Sequence, residues 1–286
     1  MNAPATRFRL LALDVDGTLV RPDQTVAEDV LAALEDAERA GLAIVLATGR
    51  ALSEVLPVWR QLRLAGPAQP VVLLGGAMVS EPHTRRTLWQ RGIDRETVAD
   101  FEGAVAAMGR STVASVDVWR HGADYYVAVG DDIDTLDRHW FTKLGLAVHK
   151  VPSLVEAPDM PDPLRLLTGV PSEQAESIAE TLSSQFQDRL DIHAICAPNL
   201  GLHLVEGFAP GVDKFGGVRY VAEALRIAPK HIAAAGDDVN DLAMLRRCGL
   251  GAAMPQASAV VRDAADVVAT DGLGRFIHDL LAGEYD

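Results

Sequence analysis

Three short apolar runs, set apart by stretches of helical pattern, constrain this chain most. Residues 8–13 (FRLLAL), 43–47 (AIVLA) and 71–74 (VVLL) carry no 3.6-residue stripe, as expected of strands buried on both faces. Between the first two, Thr25-Val26-Ala27-Glu28 has the form of a capping box. Val26, Val30, Leu31 and Leu34 then recur at helical spacing up to Gly41. A second helix is expected over 51–64. This β-α-β-α-β succession predicts an α/β fold with a doubly wound parallel sheet, a Rossmann-like core.

The rhythm changes after Gly75-Gly76. A helix over 95–108 precedes strand-like 112–118 and 125–129, with Arg120-His121-Gly122 in the turn of an expected antiparallel hairpin. A helix near 133–144, a Pro-rich stretch over 152–163, a strand over 164–170, a helix over 172–186 and strands over 191–197 and 202–205 follow. These two helix-plus-strand sets predict an inserted α+β module. The α/β rhythm then returns, with helices over 212–225 and 241–247 and short strands over 231–235, 251–254 and 267–269. The expected domains are a core of 1–80 with 204–286 and an insertion of 81–203.

A chain of 286 residues, 49% of them hydrophobic, has enough apolar surface for a large core. Its formal charge of −14 argues against nucleic acid and against anionic membrane surfaces as partners. No apolar run approaches the roughly 18 residues of a spanning helix. The first apolar run meets an acidic cluster directly, without a cleavage site, so no secretory signal is expected. Cys196 and Cys248 form no metal-ligand pair, and two free thiols suit a cytoplasmic protein. Lysine is scarce: Lys143, Lys150, Lys214 and Lys230 are all of it.

Four clusters carry candidate chemistry. Asp14-Val15-Asp16-Gly17-Thr18 places two carboxylates after a buried strand, where one can act as nucleophile or metal ligand and the other can handle a proton. The alternative is a solvated acidic turn. A calcium EF-hand fails on spacing, because its obligatory glycine would fall on Leu19. Thr48-Gly49-Arg50 offers a hydroxyl and backbone N–H groups at a helix start, which suits phosphate, or is an ordinary loop. Lys214, in Gly211-Val212-Asp213-Lys214, is a ligand clamp or a surface charge. Gly236-Asp237-Asp238-Val239-Asn240-Asp241 is an acidic helix cap, or a set of hard oxygen donors that a cation such as Mg²⁺ would neutralise. All four lie at C-terminal strand ends or the following helix starts, the edge where open α/β sheets bind ligands.

In this order DVDGTLV, ATGR, GVDK and GDDVNDLAML resemble the four motifs of the haloacid dehalogenase-like phosphatase superfamily, and the long insertion resembles its Cof-type members. The resemblance spans essentially the whole chain. It implies a core in which the DVDGT strand is central, between the TGR and GDDVND strands. It also implies a Mg²⁺-dependent phosphatase of small phosphorylated metabolites, such as sugar phosphates.

Carried over by motif, Asp14 would take the phosphoryl group, and Asp16 would be acid and then base. Thr18 would support the loop. Thr48, Gly49, Lys214 and Asn240 would hold phosphate. Asp14, Asp237, Asp241 and the Asp16 backbone carbonyl would serve the metal. Arg50 matches the motif without an implied role. The insertion would be a cap reading the leaving group, with Arg120, His121, Arg165 and His193 as candidate specificity residues. Relatives carry Asn-Gly-Ala where this chain has Gly75-Gly76-Ala77, so a substrate preference is not inherited from them. A phosphomutase on the same core and a non-catalytic phospholigand-binding module are the alternative readings. Oligomeric state is not legible.

Overall fold

The computed structural model describes residues 6–65, 69–197 and 201–286. The chain divides into two compact units. One comprises Met1–Arg50, Val55–Trp89 and Asp213–Asp286, and the other Ala51–Glu54 and Gln90–Val212. These divisions differ from the expected insertion limits of 81 and 203 by about nine residues at each end, because a hairpin after the third strand stays with the first unit and the last strand of the second unit runs on past 203.

The first unit opens with β1 (Leu10–Leu13), α1 (Glu28–Arg39), β2 (Ala43–Leu46), the helix α2 (Leu52–Trp59) that begins in the second unit, β3 (Val71–Leu73), β4 (Met78–Glu81) and β5 (Arg86–Gln90). α1 starts differently from the expectation. Its N-cap is Ala27, with no side-chain cap. The Thr25 hydroxyl donates instead to Asp23 Oδ1 at 2.6 Å, and a Val20–Val26 bridge keeps this stretch extended. The third apolar run also differs. β3 makes a single parallel bridge to the end of β2, Ala47 to Val72, and otherwise pairs antiparallel with β4 in the sheet β3-β4-β5.

The second unit runs α3 (Arg95–Ala106), β6 (Thr112–Ser115), α4 (Val118–His121), β7 (Tyr125–Ala128), α5 (Ile133–Leu136), a π-helical turn, α6 (Thr142–Leu144), β8 (Val148–Val151), β9 (Arg165–Val170), α7 (Ala175–Phe186), β10 (Asp191–Ala197) and β11 (Leu202–Phe208). Its sheet has the order β10-β11-β9-β6-β7-β8 and is antiparallel except between β7 and β8. Phe101 of α3 and Phe186 of α7 meet at 5.7 Å, so both helices cover one face. The expected β6–β7 hairpin forms, pairing Ser115 with Tyr125. Its connection contains α4, so Arg120 and His121 lie on a short helix capped by Asp117 rather than in a tight turn.

The first unit resumes with α8 (Lys214–Ala224), β12 (Ile232–Gly236), α9 (Leu242–Arg247), β13 (Leu250–Ala253), α10 (Ala259–Ala264), β14 (Val267–Val268) and α11 (Leu273–Ala282). Its main sheet is parallel, in the order β14-β13-β12-β1-β2. β1 lies between β12 and β2, with Leu11 opposite Ala233 on one side and Ile44 on the other. All four β1 side chains are buried, as a strand covered on both faces requires. One covering layer joins Phe215, Val218 and Val221 of α8 with Met244 and Leu245 of α9. On α11, Leu273, Phe276, Ile277 and Leu280 are buried, and the helix packs on α1. Among the described residues no helix is long and apolar enough to cross a membrane.

Candidate active site

β1 ends at Leu13, and the Asp14 N–H still donates to Ala235 O of β12 at 3.0 Å. The two central strands therefore release their loops side by side. Gly17, at φ +77°, bends the first loop onto the second. A Cβ at this position would stand 2.2 Å from Asp237 Oδ2, so only glycine permits the approach. The Thr18 hydroxyl donates to Asp237 Oδ1 at 3.1 Å across the same junction.

The loop after β12 is folded by its own carboxylates. Asp238 caps the turn leading into α9, and Asp241 Oδ2 accepts from the N–H groups of Asp237 and Asp238 at 3.0 and 3.1 Å. Lys214 is the first residue of α8, whose cap Asp213 accepts from Gly216 N–H at 2.6 Å. Its ammonium is buried and makes three bonds, to Asp14 Oδ1 at 2.6 Å, Asp241 Oδ1 at 2.7 Å and Asn240 Oδ1 at 2.9 Å. An ammonium has three donors, so these acceptors saturate it. Lys214 is thus no surface charge.

Charge in the cluster is unbalanced. Burial pushes the Asp14 carboxyl well above the usual carboxylate range; Asp241 and Asp237 add to this, while Lys214 opposes it. Burial also lifts Asp237, to about 6, with Asp241 contributing and the Thr18 hydroxyl resisting. Burial disfavours the Lys214 ammonium, yet Asp14 and Asp241 hold its pKa above the ordinary lysine value. One oxygen from each of Asp14, Asp237 and Asp241 lies within 4.8 Å of the others. Three hard donors against one ammonium leave a negative site, and the donor set fits a small divalent cation such as Mg²⁺. The Asp16 side chain is turned elsewhere, accepting from Arg50 Nε and Nη2 at 2.8 and 2.6 Å.

Thr48 is buried at the end of β2, and its hydroxyl accepts from Arg50 N–H at 3.1 Å. A Cβ on Gly49 would meet nothing within 4 Å, so there is open space beside this backbone. Gly76, in the variant Gly-Gly pair, has φ +109°, and a Cβ on it would fall 2.0 Å from Asp213 O. That glycine is fixed by the close passage of the backbone leading into Lys214.

The expected core residues Asp14, Asp16, Thr48, Gly49, Lys214, Asp237, Asn240 and Asp241 all lie in the first unit. The four expected specificity residues lie in the second and are dispersed. Arg120 is half-exposed and pairs with buried Asp117 at 3.3 Å. His121 is partly buried on α4, and His193 is exposed on β10. Arg165 is buried, bonded to Glu206 at 3.0 Å and to Ser115 at 3.2 Å. His193 stands opposite Glu206 in the β10–β11 ladder, so it and Arg165 share a neighbour.

Sequence reasoning missed four supporting residues. Gln24 accepts from Arg50, and Gln256 donates to Gly17 O. Arg247 bonds the cap Asp213 at 3.0 Å and lies 4.2 Å above the Phe215 ring. Of these only Asp213 carries a local signal, as an acidic residue just before a helix.

The family model of haloacid dehalogenase-like hydrolases matches residues 11–272. The 5-amino-6-(5-phospho-D-ribitylamino)uracil phosphatase YitU of Bacillus subtilis is 25% identical over 96% of this chain and 98% of its own. The phosphoglycolate phosphatase of Natronomonas pharaonis is 28% identical over 90% of this chain and 89% of its own. The crystal structure of a haloacid dehalogenase-like hydrolase from Bacteroides thetaiotaomicron superposes with a TM-score of 0.77 at 19% identity. It covers 96% of this chain and 99% of that one.

Proposed function

This chain belongs to the haloacid dehalogenase-like hydrolase family and is a phosphatase of it, and we propose that it hydrolyses a small phosphorylated metabolite through an aspartyl-phosphate on Asp14. The observation that carries this reading is the buried knot of Lys214 with Asp14 and Asp241, one oxygen of Asp237 lying within 4.8 Å of the two carboxylates. Binding alone does not call for a nucleophile-grade carboxylate held against an ammonium in a water-poor site.

In the first step an Asp14 carboxylate oxygen attacks phosphorus and the bond to the leaving alcohol breaks. Asp16 gives its proton to the alcohol oxygen. In the second step Asp16 takes a proton from water, the water oxygen bonds to phosphorus, and the acyl-phosphate bond breaks to return Asp14 and free phosphate. Lys214 holds Asp14 in place and offsets the charge of the incoming phosphoryl group. Asn240 orients Lys214 through its amide oxygen. Thr48 and Gly49 line the space into which the phosphoryl oxygens fit. Asp241 braces Lys214 and the Asp237 loop at once. Mg²⁺, held by Asp14, Asp237, the Asp16 carbonyl and Asp241, would supply positive charge against the repulsion between phosphate and carboxylates.

The second unit is proposed as the specificity cap, with Arg120, His121, Arg165 and His193 among the residues to test. The free thiols of Cys196 and Cys248 are consistent with work in the cytoplasm. A panel of sugar phosphates, nucleotide-pathway phosphates and short phospho-acids, assayed for phosphate release with Mg²⁺, tests the reading. The expected result is release from a subset and none with Asp14→Asn. Isomerised substrate without released phosphate would identify a mutase instead.

A further inference from the structure

Gln256 belongs to no motif, yet its side chain joins two loops of the site. The main sheet runs β14-β13-β12-β1-β2, so the loop after β12, which carries Asp237, lies between the loops after β13 and β1. Gln256 stands in the loop after β13, and its amide nitrogen donates to Gly17 O in the loop after β1. The side chain therefore spans from one flanking loop to the other, past the loop of Asp237.

Gln256 is exposed, but its base is fixed. Met254 N–H donates to Gly236 O at 2.9 Å, and Ala257 N–H closes a turn onto Met254 O at 3.0 Å. Ala257 is buried, and its carbonyl accepts from Arg262 Nη1 of α10 at 2.6 Å. Pro255, inside the turn, has its φ locked by its own ring.

At the other end, Asp16 and Gly17 form the exposed tip of the loop after β1. The carbonyl that Gln256 holds belongs to the peptide between Gly17 and Thr18. A peptide is planar, so fixing its oxygen fixes the plane and the direction in which the chain enters Thr18. The Thr18 hydroxyl donates to Asp237 Oδ1 at 3.1 Å. Gly17 already lies against Asp237, where a Cβ would stand 2.2 Å from Oδ2. A peptide released by Gln256 would move away from the carboxylate and draw the hydroxyl off it.

We propose that Gln256 is a positioning residue for Asp237: by holding the Gly17–Thr18 peptide it keeps the Thr18 hydroxyl on that carboxylate and so sets how tightly the site binds Mg²⁺. The proposal rests on the assignment of Asp237 to the metal. Its effect is indirect, so it belongs to metal affinity and disappears once Thr18 has no hydroxyl to pass it on.

The test uses the full chain and Mg²⁺ alone, titrated calorimetrically into chelator-treated protein at about pH 8, so it needs no turnover. Gln256→Met keeps the length of the side chain and removes the donor. It should raise the Kd for Mg²⁺ by about three- to tenfold, the loss of one hydrogen bond, and should shrink the rise in Tm that Mg²⁺ produces. Tm in chelator should fall by less than about 2 °C, as for a surface substitution. Gln256→Ala should show the same pattern, so the result does not hang on the bulk of methionine. Thr18→Val/Gln256→Met should bind Mg²⁺ within about twofold of Thr18→Val alone.

Parent-like Mg²⁺ affinity in both Gln256 variants overturns the proposal. Losses that multiply with Thr18→Val overturn it too, because Gln256 then does not act through the hydroxyl. A larger fall of Tm in chelator makes Gln256 a brace of the fold and likewise overturns it. A parent that binds no Mg²⁺ contradicts the assignment of Asp237 to the metal and takes this role with it. A parent that binds Mg²⁺ no more tightly than its Gln256 variants overturns this role alone.

Discussion

The Lys214 ammonium stands 2.6 Å from Asp14 Oδ1 although 200 positions separate the two residues in the chain. Both are buried, and the contact joins the loop after the central strand β1 to the first residue of α8. Nothing local to either residue forms it. The parallel pairing of β1 with β12 and the close passage of Gly76 beneath Asp213 bring the two together.

Removing that ammonium leaves Asp14 and Asp241 buried without their cation. Lys214→Met should destabilise the metal-free protein by about 3–5 kcal/mol, the usual cost of breaking a buried pair on one side. Lys214 opposes the upward shift of Asp14, so without it Asp14 takes up a proton more readily and the loss should be smaller near pH 5 than near pH 8. Chemical denaturation at the two pH values checks this. An unchanged midpoint would mean that Lys214 is not fully desolvated in solution.

Metal and protons should compete at this site. Asp237, ordinarily 3.8, sits at about 6 in the folded chain, and Asp14 is raised as well. Above the ordinary value and up to the raised one, the folded state binds more protons than the unfolded state. The stability of the metal-free protein therefore falls as pH rises through that window. Mg²⁺ needs the deprotonated carboxylates, so it should raise Tm more at about pH 8 than at about pH 5 and should release protons on binding. Equal Tm increments at both pH values would contradict the assignment of Asp237 to the metal.

Much of this site is legible in the amino-acid sequence. Asp14, Asp16 and Gly17 follow a buried apolar run, and the Asp237–Asp241 cluster follows another, so strand ends alone place them at one edge. The direction of side chains is not legible there. Arg50 stands in a recognisable motif, but its reach to Asp16 and Gln24 depends on how separate loops cross. The capping pattern at Thr25 misleads because Val26 is drawn into an extended bridge with Val20, which moves the helix start to Ala27. The β4–β5 hairpin lacks a glycine turn; Arg85 takes the left-handed conformation at φ +54°, so the usual glycine flag of a hairpin is missing. By contrast Leu273, Phe276, Ile277 and Leu280 of α11 recur at i, i+3, i+4 and i+7, a helical period that strand and motif patterns do not capture.

Gly17→Ala places a methyl group where Asp237 Oδ2 now lies and forces a left-handed alanine. A cost of about 1–2 kcal/mol is expected from the backbone alone. Displacement of Asp237 should also raise the Mg²⁺ concentration needed for half-maximal activity. Thermal melting and a Mg²⁺ titration separate the two effects. An unchanged Mg²⁺ requirement would show that Asp237 does not depend on this close approach.

In the second unit, Arg165 and His193 should behave oppositely. Arg165 pairs with Glu206 with side chains 5% and 4% exposed, so Arg165→Met should cost about 3–5 kcal/mol of stability. His193 is exposed, and His193→Ala should change stability by less than about 0.5 kcal/mol. Any effect of the latter belongs to kcat/KM for the best metabolite. A stable Arg165→Met protein would contradict a structural role for the pair.

The nucleophile itself can be read directly. Asp16→Asn removes the base of the second step, so a p-nitrophenyl phosphate load should leave phosphoryl groups on the enzyme. Reduction of that quenched protein with borohydride converts an aspartyl-phosphate to homoserine, which peptide mass spectrometry locates. The predicted result is homoserine at position 14 and at no other aspartate, absent when Asp14→Asn is combined with Asp16→Asn. Homoserine at a different aspartate, or none at position 14 while Asp16→Asn still forms p-nitrophenol, would contradict Asp14 as the residue that takes the phosphoryl group.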